Sequence, residues 1–327
     1  MHAPDKILVV TCRDDPHADH VIEELNYRKL GDHVVRLNTE DFIGNCDVVF
    51  NDGVSSIRIL DSGRMVDTTS IRSVWYRRPG ELKAQSVDDQ FIASYIEQQS
   101  TAFLRGFYFQ THTYTLWINS LTAMHAARHK MVQLQLARKI GLRVPRTLVT
   151  NNPSQAVRFI SAIERLCVKS IGDHHARASE FIYPYLTVRT SREEIMERAS
   201  DIFACPTMIQ EYIDKQFDVR VIVFGGAIYA FAIYSQENRE SIVDFRAVSP
   251  AELMHKPIIL PDDLVGLIQD LMSRQGLVFG ALDFVYGMDG AYYFLENNVN
   301  GQWLWLEEIT GVGLTDSLIK VLLHQAT

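Results

Sequence analysis

The stretch FGALDFVYGMDGAYYFLENNVNGQW, residues 279–303, decides how this chain folds. Two apolar runs, Phe279 to Tyr286 and Ala291 to Leu295, flank Gly287-Met288-Asp289-Gly290, the pattern of a β-hairpin. Pairing Tyr286 with Ala291 across that turn sets Asp283 opposite Phe294 and Glu296 opposite Ala281. Side chains alternate with period two, so Asp283, Glu296 and Asn298 then share one face, with the carboxylates as diagonal neighbours roughly 7 Å apart. Two acidic oxygens and an amide oxygen, with positions left for water and phosphate, are the donors magnesium uses when it also binds a nucleotide. The same alternation also describes a surface hairpin with its acids turned to solvent.

Composition bounds the rest. At 327 residues, 47% hydrophobic and 22% charged, the chain can bury a large core and predicts two or three domains. Thirty-two basic against 40 acidic residues give a net charge of −8, which argues against nonspecific nucleic-acid binding. Cys12, Cys46, Cys167 and Cys205 are widely spaced and form no CxxC pair, so they read as reduced thiols rather than a zinc site or a disulfide framework. The start MHAPDKILVV lacks the layout of a secretion signal, and no run of about 18 apolar residues occurs. The expectation is a soluble, cytoplasmic protein with no membrane and no nucleic-acid partner.

Along the chain, Lys6 to Thr11 reads as a buried strand, Pro16 to Leu30 as a helix closed by Gly31, and His33 to Leu37 as a second strand. No GxGxxG follows the first strand, so a dinucleotide fingerprint is absent. Asp14, His17 and His20 could be metal ligands, but an acid at a helix start and histidines on its outer face explain them equally. Strands follow at Cys46 to Phe50, Ser56 to Leu60 and Ile71 to Tyr76. Arg77 and Arg78, before Pro79, could bind an anionic substrate or lie in a solvated loop. Ser86 and Asp89 predict a capping box for a helix bearing the stripe Phe91, Ile92, Tyr95, Ile96 and Phe103 as core or dimer contact. A helix from Asn119-Ser120 to Gly141 carries Lys130 off its apolar stripe; His125 and His129, lacking the glutamate of HExxH, make a weak zinc motif.

In the middle, a helix from Pro153 to Glu164 precedes a strand Leu166 to Lys169, a polar loop Ile171 to Ser179, strands through Phe181-Ile182-Tyr183 and Leu186 to Arg189, and a helix capped by Ser191 with Glu194. Gly225-Gly226 turns a hairpin between Val219 to Phe224 and Ala227 to Ile233. Val243-Asp244-Phe245-Arg246 reads as the start of an extended piece, and Pro261-Asp262-Asp263 opens a helix that Gly276 closes.

In order, Lys130, Lys169, Gln210-Glu211-Tyr212-Ile213, Asp218-Val219-Arg220, Asp283 and Glu296-Asn297-Asn298 resemble the nucleotide-binding set of the ATP-grasp ligases. Within that family, Trp75-Tyr76-Arg77-Arg78-Pro79, Val243-Asp244-Phe245-Arg246 and the run from Glu296 to Trp305 resemble the microviridin-type ribosomal peptide maturases, which form graspetides. The resemblance implies an α/β (α+β) architecture: an N-terminal α/β pre-grasp domain (1–118), a small central domain with a flap and the leader-peptide-binding region (119–206), and a C-terminal antiparallel-sheet nucleotide domain (207–327). It implies ATP and Mg2+ as cofactors. Lys130 and Lys169 would meet the phosphates, Gln210, Glu211, Tyr212 and Ile213 the adenine, and Asp218 the ribose or Arg220. Arg220 and Arg246 would stabilise charge in the transition state, and Asp283, Glu296 and Asn298 would hold the metal. Ile171 to Arg177 has a single glycine where many relatives have a Gly-rich loop over the phosphates. The implied partner is a ribosomal precursor peptide of leader plus core, whose Asp or Glu side chains would be joined to Ser, Thr or Lys; the acids Glu193, Glu194 and Glu197 and the strands from Glu180 to Arg189 would receive the leader, and a homodimer is expected. The alternative is a glutamate-ligase-like enzyme that adds an amino acid or small molecule to a carboxylate.

Overall fold

The computed structural model describes residues 4–111, 113–172, 175–178 and 181–326. Of the residues discussed above, Met1, His2, Ala3, Asp173, His174, Ser179 and Glu180 lie outside them.

The N-terminal layer is a four-stranded parallel sheet in the order Val34–Asn38, Lys6–Thr11, Ile71–Tyr76, Leu116–Ile118. The apolar run of Lys6–Thr11 is buried on both faces: Leu8 and Val10 join a core with Phe107 and Tyr108, while Ile7 and Val9 join one with Val21 and Leu25. Such two-sided burial is why this strand reads as a continuous apolar run rather than an alternating one. The first helix is shorter than expected, Pro16–Tyr27, and Gly31 opens a 3-10 turn instead of closing it. Asp89 alone caps the next long helix, Gln90–Phe109, accepting from the N–H groups of Phe91 and Ile92; Ser86 takes no part in the cap. The stripe expected there as core or contact is largely at the surface, with Phe91 83% and Tyr95 59% exposed.

A four-stranded antiparallel sheet follows, Val188–Thr190, Leu166–Lys169, Thr207–Glu211, Thr147–Thr150. Its helices Pro153–Ile160, Arg192–Glu197 and Ala199–Ala204 cover it through Ala156, Ile160, Ile195 and Ile202. The stretch expected as a loop contains the strand His175–Ala178, paired with Phe181–Pro184.

The third sheet is antiparallel and five-stranded: His255–Ile258, Ala227–Ile233, Lys215–Phe224, Phe279–Gly287, Tyr292–Asn298. One face, with Val219, Val221, Leu282, Phe284 and Phe294, packs on the helices Lys130–Ile140 and Asp262–Gln275. Gly141 and Gly276 end these two helices in the left-handed conformation, as their sequence positions predicted. The opposite face divides. Ile222, Phe224, Phe279 and Ala281 pack under Trp303, the helix Leu314–Leu322 and the first helix of the chain. Further along it, Asp218, Arg220 and Asp283 line up toward the central sheet.

Two further expectations need correction. The helix from Asn119 is broken at Arg128-His129 into Leu121–Ala127 and Lys130–Ile140, so Lys130 opens a helix rather than riding along one. The hairpin register also differs: Tyr286 pairs with Tyr292 and Phe284 with Phe294, then an irregularity shifts the count so that Asp283 pairs with Glu296 and Ala281 with Asn298. Leu295 is the extra residue, a β-bulge.

Candidate active site

The bulge makes the site. A regular strand with Phe294 in the core would send Glu296 into the core as well, because both have the same parity. With one residue inserted, Phe294 and Asn297 face the helices, while Leu295, Glu296 and Asn298 turn to the other side, beside Asp283. Asp283 and Glu296 are therefore direct cross-strand partners, closer than the diagonal relation expected from the sequence. The two neighbouring asparagines part company. Asn297 is structural: its main-chain N–H and C=O bond to Gln133 at 2.8 Å each, and its amide donates to Gln275. Asn298 instead sets its amide 3.0 Å from Asp283 and 3.4 Å from Glu296.

Cations surround the acid pair. Arg220, directly opposite Asp283 on the adjacent strand, donates through Nη1 to both Asp283 oxygens at 2.7 and 2.8 Å. Lys130, placed by the helix break, lies 3.3 Å from Glu296 and donates to the carbonyl of Ser170 at 2.8 Å. Burial pushes the Asp283 carboxyl up; Arg220 opposes this and Glu296 adds to it. Two acids held this close and this dry favour a bound cation that would relieve them. Among the described residues no three His, Cys, Asp or Glu side chains cluster as a metal group. The donor set is thus two carboxylates and an amide, which fits Mg2+ when phosphates and water complete its shell.

Arg246 comes from a 3-10 turn, Phe245–Ala247, where the start of an extended piece was expected. The turn forms because Asp244 caps it, accepting from the Arg246 N–H, and the same carboxylate grips the guanidinium from Nε at 2.9 Å and Nη2 at 2.6 Å. A fourth bond, from the N–H of Thr187 at 2.9 Å, ties Asp244 to the central sheet. Burial alone would raise Asp244, but Arg246 and Thr187 outweigh it and hold the carboxyl far below the usual range. The sequence names Asp244 within Val243-Asp244-Phe245-Arg246 but gives it no role. Its signal was an acid two residues before an arginine.

The cleft runs from this cluster to the central sheet, lined by Lys130, Lys169, Gln210, Glu211, Tyr212, Ile213, Asp218, Arg246, Asp283 and Glu296. The sequence-derived set is brought together, with two qualifications. Asp218 is committed elsewhere: it takes Lys215 at 2.7 Å and the Ser235 hydroxyl, so it braces the floor of the cleft rather than Arg220. In the hinge, the N–H groups of Glu211 and Tyr212 already bond to the carbonyls of Arg146 and Arg165. Among the described residues the Ile213 N–H has no backbone partner, and Gln210 carries a buried side-chain oxygen with none. An acceptor and a donor left open on one wall fit an adenine edge.

Other candidates fall outside the cleft. His17 is buried and accepts from the N–H groups of both Trp303 and Leu304, and burial with Arg77 nearby lowers its pKa to about 3. It is a neutral acceptor, neither a metal ligand nor on an outer face. Arg77 is 1% exposed and bonds the carbonyl of Asn300, so it cannot meet a substrate anion. His125 and His129 stack edge to face at 5.7 Å on the surface. Glu194 spends its carboxylate on the Ser191 N–H and the Thr190 hydroxyl, leaving Glu193 and Glu197 as the acids of that helix face.

Comparison with known proteins agrees with this layout. Residues 6–125 match the MvdD pre-ATP grasp domain and residues 127–322 the RimK-like ATP-grasp domain. The chain is similar to the Chryseobacterium gregarium RiPP-associated ATP-grasp ligase in complex with ADP and a leader and core peptide, at 25% identity over 99% of this chain and 98% of that one, with a TM-score of 0.87. It is also similar to macrocyclase MdnB from Microcystis aeruginosa MRC, at 27% identity over 98% and 99% of the two chains and a TM-score of 0.77. Among curated proteins, glutathione synthetase of Synechococcus elongatus is 24% identical over 267 residues, 78% of each chain.

Proposed function

Because the chain belongs to the RimK-like ATP-grasp family, we propose that it is an ADP-forming ligase that joins Asp or Glu side chains of a ribosomal precursor peptide to Ser or Thr hydroxyls, or Lys amines, of the same peptide. The observation that carries this reading is the facing pair Asp283 and Glu296 with Lys130, Arg220 and Arg246 in the cleft that ends at the Gln210–Ile213 hinge. Similarity over 99% of the chain to a ligase solved with ADP, leader and core supports the peptide as substrate.

In this reading a peptide carboxylate oxygen attacks the γ-phosphorus of ATP and ADP leaves, giving an acylphosphate. A hydroxyl or amine then attacks the acyl carbon, inorganic phosphate leaves, and the net change is loss of one water per link. Lys130 and Lys169 hold the phosphates as point charges. Arg246, locked by Asp244, presents its charge at the transferring phosphoryl group with no reorganisation. Arg220 fixes Asp283. Mg2+, when bound by Asp283, Glu296 and Asn298, neutralises phosphate charge; for this the Asn298 amide turns its oxygen inward, a rotation that exchanges donor and acceptor. Gln210 and Ile213 read the adenine. A closed cleft keeps water from the acylphosphate.

The remaining parts of the reading follow the same line. The chain divides into units 1–118, 119–206 and 207–327, the last lending its strand Thr207–Glu211 to the sheet of the second. The leader docks on the central unit beside Val188–Thr190 and the Glu193–Glu197 face. The exposed Phe91, Ile92 and Tyr95 favour a homodimer, and the enzyme works in the cytoplasm. No helix among the described residues is long and apolar enough to cross a membrane.

A second reading, ligation of an amino acid to a small carboxylate, is favoured by the glutathione synthetase similarity. Incubation with Mg·ATP and peptides rich in Thr, Ser, Lys, Asp and Glu decides between them by mass spectrometry. Loss of one water mass per link supports peptide crosslinking. ADP release on small acids without any peptide mass loss selects the second reading.

A further inference from the structure

The loop after the hairpin is held from both sides. On the N-terminal side, Arg77 continues the strand Ile71–Tyr76, its N–H bonded to the carbonyl of Val10 at 2.9 Å, and its Nη1 donates to the carbonyl of Asn300. Asp15 lies 3.8 Å from the Arg77 Nε and is itself held by the Thr11 hydroxyl at 2.6 Å. His17 takes the N–H groups of Trp303 and Leu304 at 3.0 and 3.1 Å. On the catalytic side, the carbonyl of Gln302 accepts from Arg220 Nη2 at 3.3 Å. Between them Gly301 packs so closely that an added Cβ would overlap that of Ala281, so the loop lies against that strand with no room for a side chain.

A buried guanidinium is costly, and a packing role would be met by a hydrocarbon of the same size. Arg77 keeps its charge in the seam although its Nε and Nη2 find no hydrogen-bond partner among the described residues. There it pairs with the buried Asp15 and fixes one carbonyl, two residues from the carbonyl that orients Arg220. We propose that Arg77 is a positioning residue for the phosphoryl-transfer site, acting through Asn300-Gly301-Gln302 on Arg220 and thereby on Asp283. The N-terminal layer is then part of the catalytic apparatus. This rests on the reading of the site given above.

The test is a double-mutant cycle in the full chain, with ADP release from Mg·ATP measured beside a synthetic peptide rich in Thr, Ser, Asp and Glu. Arg77→Lys lowers kcat by about 10- to 100-fold, the scale of a small misplacement of catalytic groups, with KM for ATP unchanged. The double variant Arg77→Lys/Arg220→Lys is no slower than Arg220→Lys alone, because the first residue acts through the second. Val66→Ala, which truncates a buried residue of the strand Met65–Asp67 in the core shared with Leu8 and Val10, lowers the melting point but not kcat. Multiplicative losses in the double variant, or full kcat in Arg77→Lys beside an impaired Arg220→Lys, would overturn the role of Arg77 alone. Full kcat in Arg220→Lys would overturn the site reading beneath it.

Discussion

Asp283→Ala is the substitution with the most to say, because it strands Arg220. The Arg220 and Asp283 side chains are 10% and 13% exposed and meet at 2.7 Å. Removing the acid leaves a buried guanidinium whose remaining bond among the described residues is the 3.3 Å contact to the Gln302 carbonyl. Breaking a buried pair from one side costs about 3–5 kcal/mol. At roughly 2 °C per kcal/mol for a chain of this size, the melting midpoint falls by roughly 6–10 °C. Asp283→Ala/Arg220→Leu removes both charges and recovers most of that loss, since an apolar replacement for a buried pair is often neutral. Neither variant releases ADP, and Mg·ATP, which raises the melting midpoint of the unaltered protein, raises neither. Scanning calorimetry with and without Mg·ATP, beside an ADP-release assay, measures all of this. Wild-type melting in Asp283→Ala, or a double variant no more stable than the single one, would refute the buried-pair account. Turnover retained in either would refute the metal assignment.

Three further outcomes are expected. The folded pKa of His17 is about 3 against 6.5 for the free group, so the unfolded chain binds the extra proton between those values. The stability it contributes is complete above about pH 6.5 and is lost toward pH 3, by up to about 1.4 kcal/mol per pH unit; His17→Gln, which keeps an acceptor and cannot titrate there, flattens the melting-point profile between pH 6 and 4. Asp244→Asn loosens Arg246 and frees the Thr187 N–H, lowering kcat by about 10- to 100-fold with little change in ATP affinity measured by calorimetry. Gly301→Ala forces the loop off Ala281 and costs about 1–3 kcal/mol, as overpacking does; the melting point and kcat fall together.

Much of the site was legible because its residues carry their own marks. Lys169 ends a short apolar strand, Gly225-Gly226 turns the hairpin that delivers Arg220, and the order of Lys130, the hinge and Glu296-Asn297-Asn298 survives any error in element boundaries. What escaped notice depends on contacts distant in sequence or on geometry without a signature. No glycine announces the bulge at Leu295, so alternation alone gave the wrong register while still grouping Asp283 with Glu296. His17 finds its partners 286 and 287 residues away, beyond any local pattern. Arg77 and Arg78 look alike in the sequence, yet only a packed seam tells a buried anchor from an exposed charge. Asp244 resembles one more polar residue in an extended piece until its four bonds are seen together.

The extra residue at Leu295 has a consequence for how this strand can change over time. It splits Tyr292–Asn298 into two segments with independent phase, one keyed to the helices through Phe294 and the other to the cleft through Glu296 and Asn298. Substitutions in the first can retune stability without turning a ligand, and substitutions in the second can retune the cleft without opening the core. With Leu295 in place, the irregularity itself is what the strand cannot lose. Pairing the strand regularly with Leu295 kept would swing the Glu296 carboxylate to the side of Phe294, into the apolar interior, so lineages that keep one residue between Phe294 and Glu296 are expected to keep the bulge with it even where both flanks diverge.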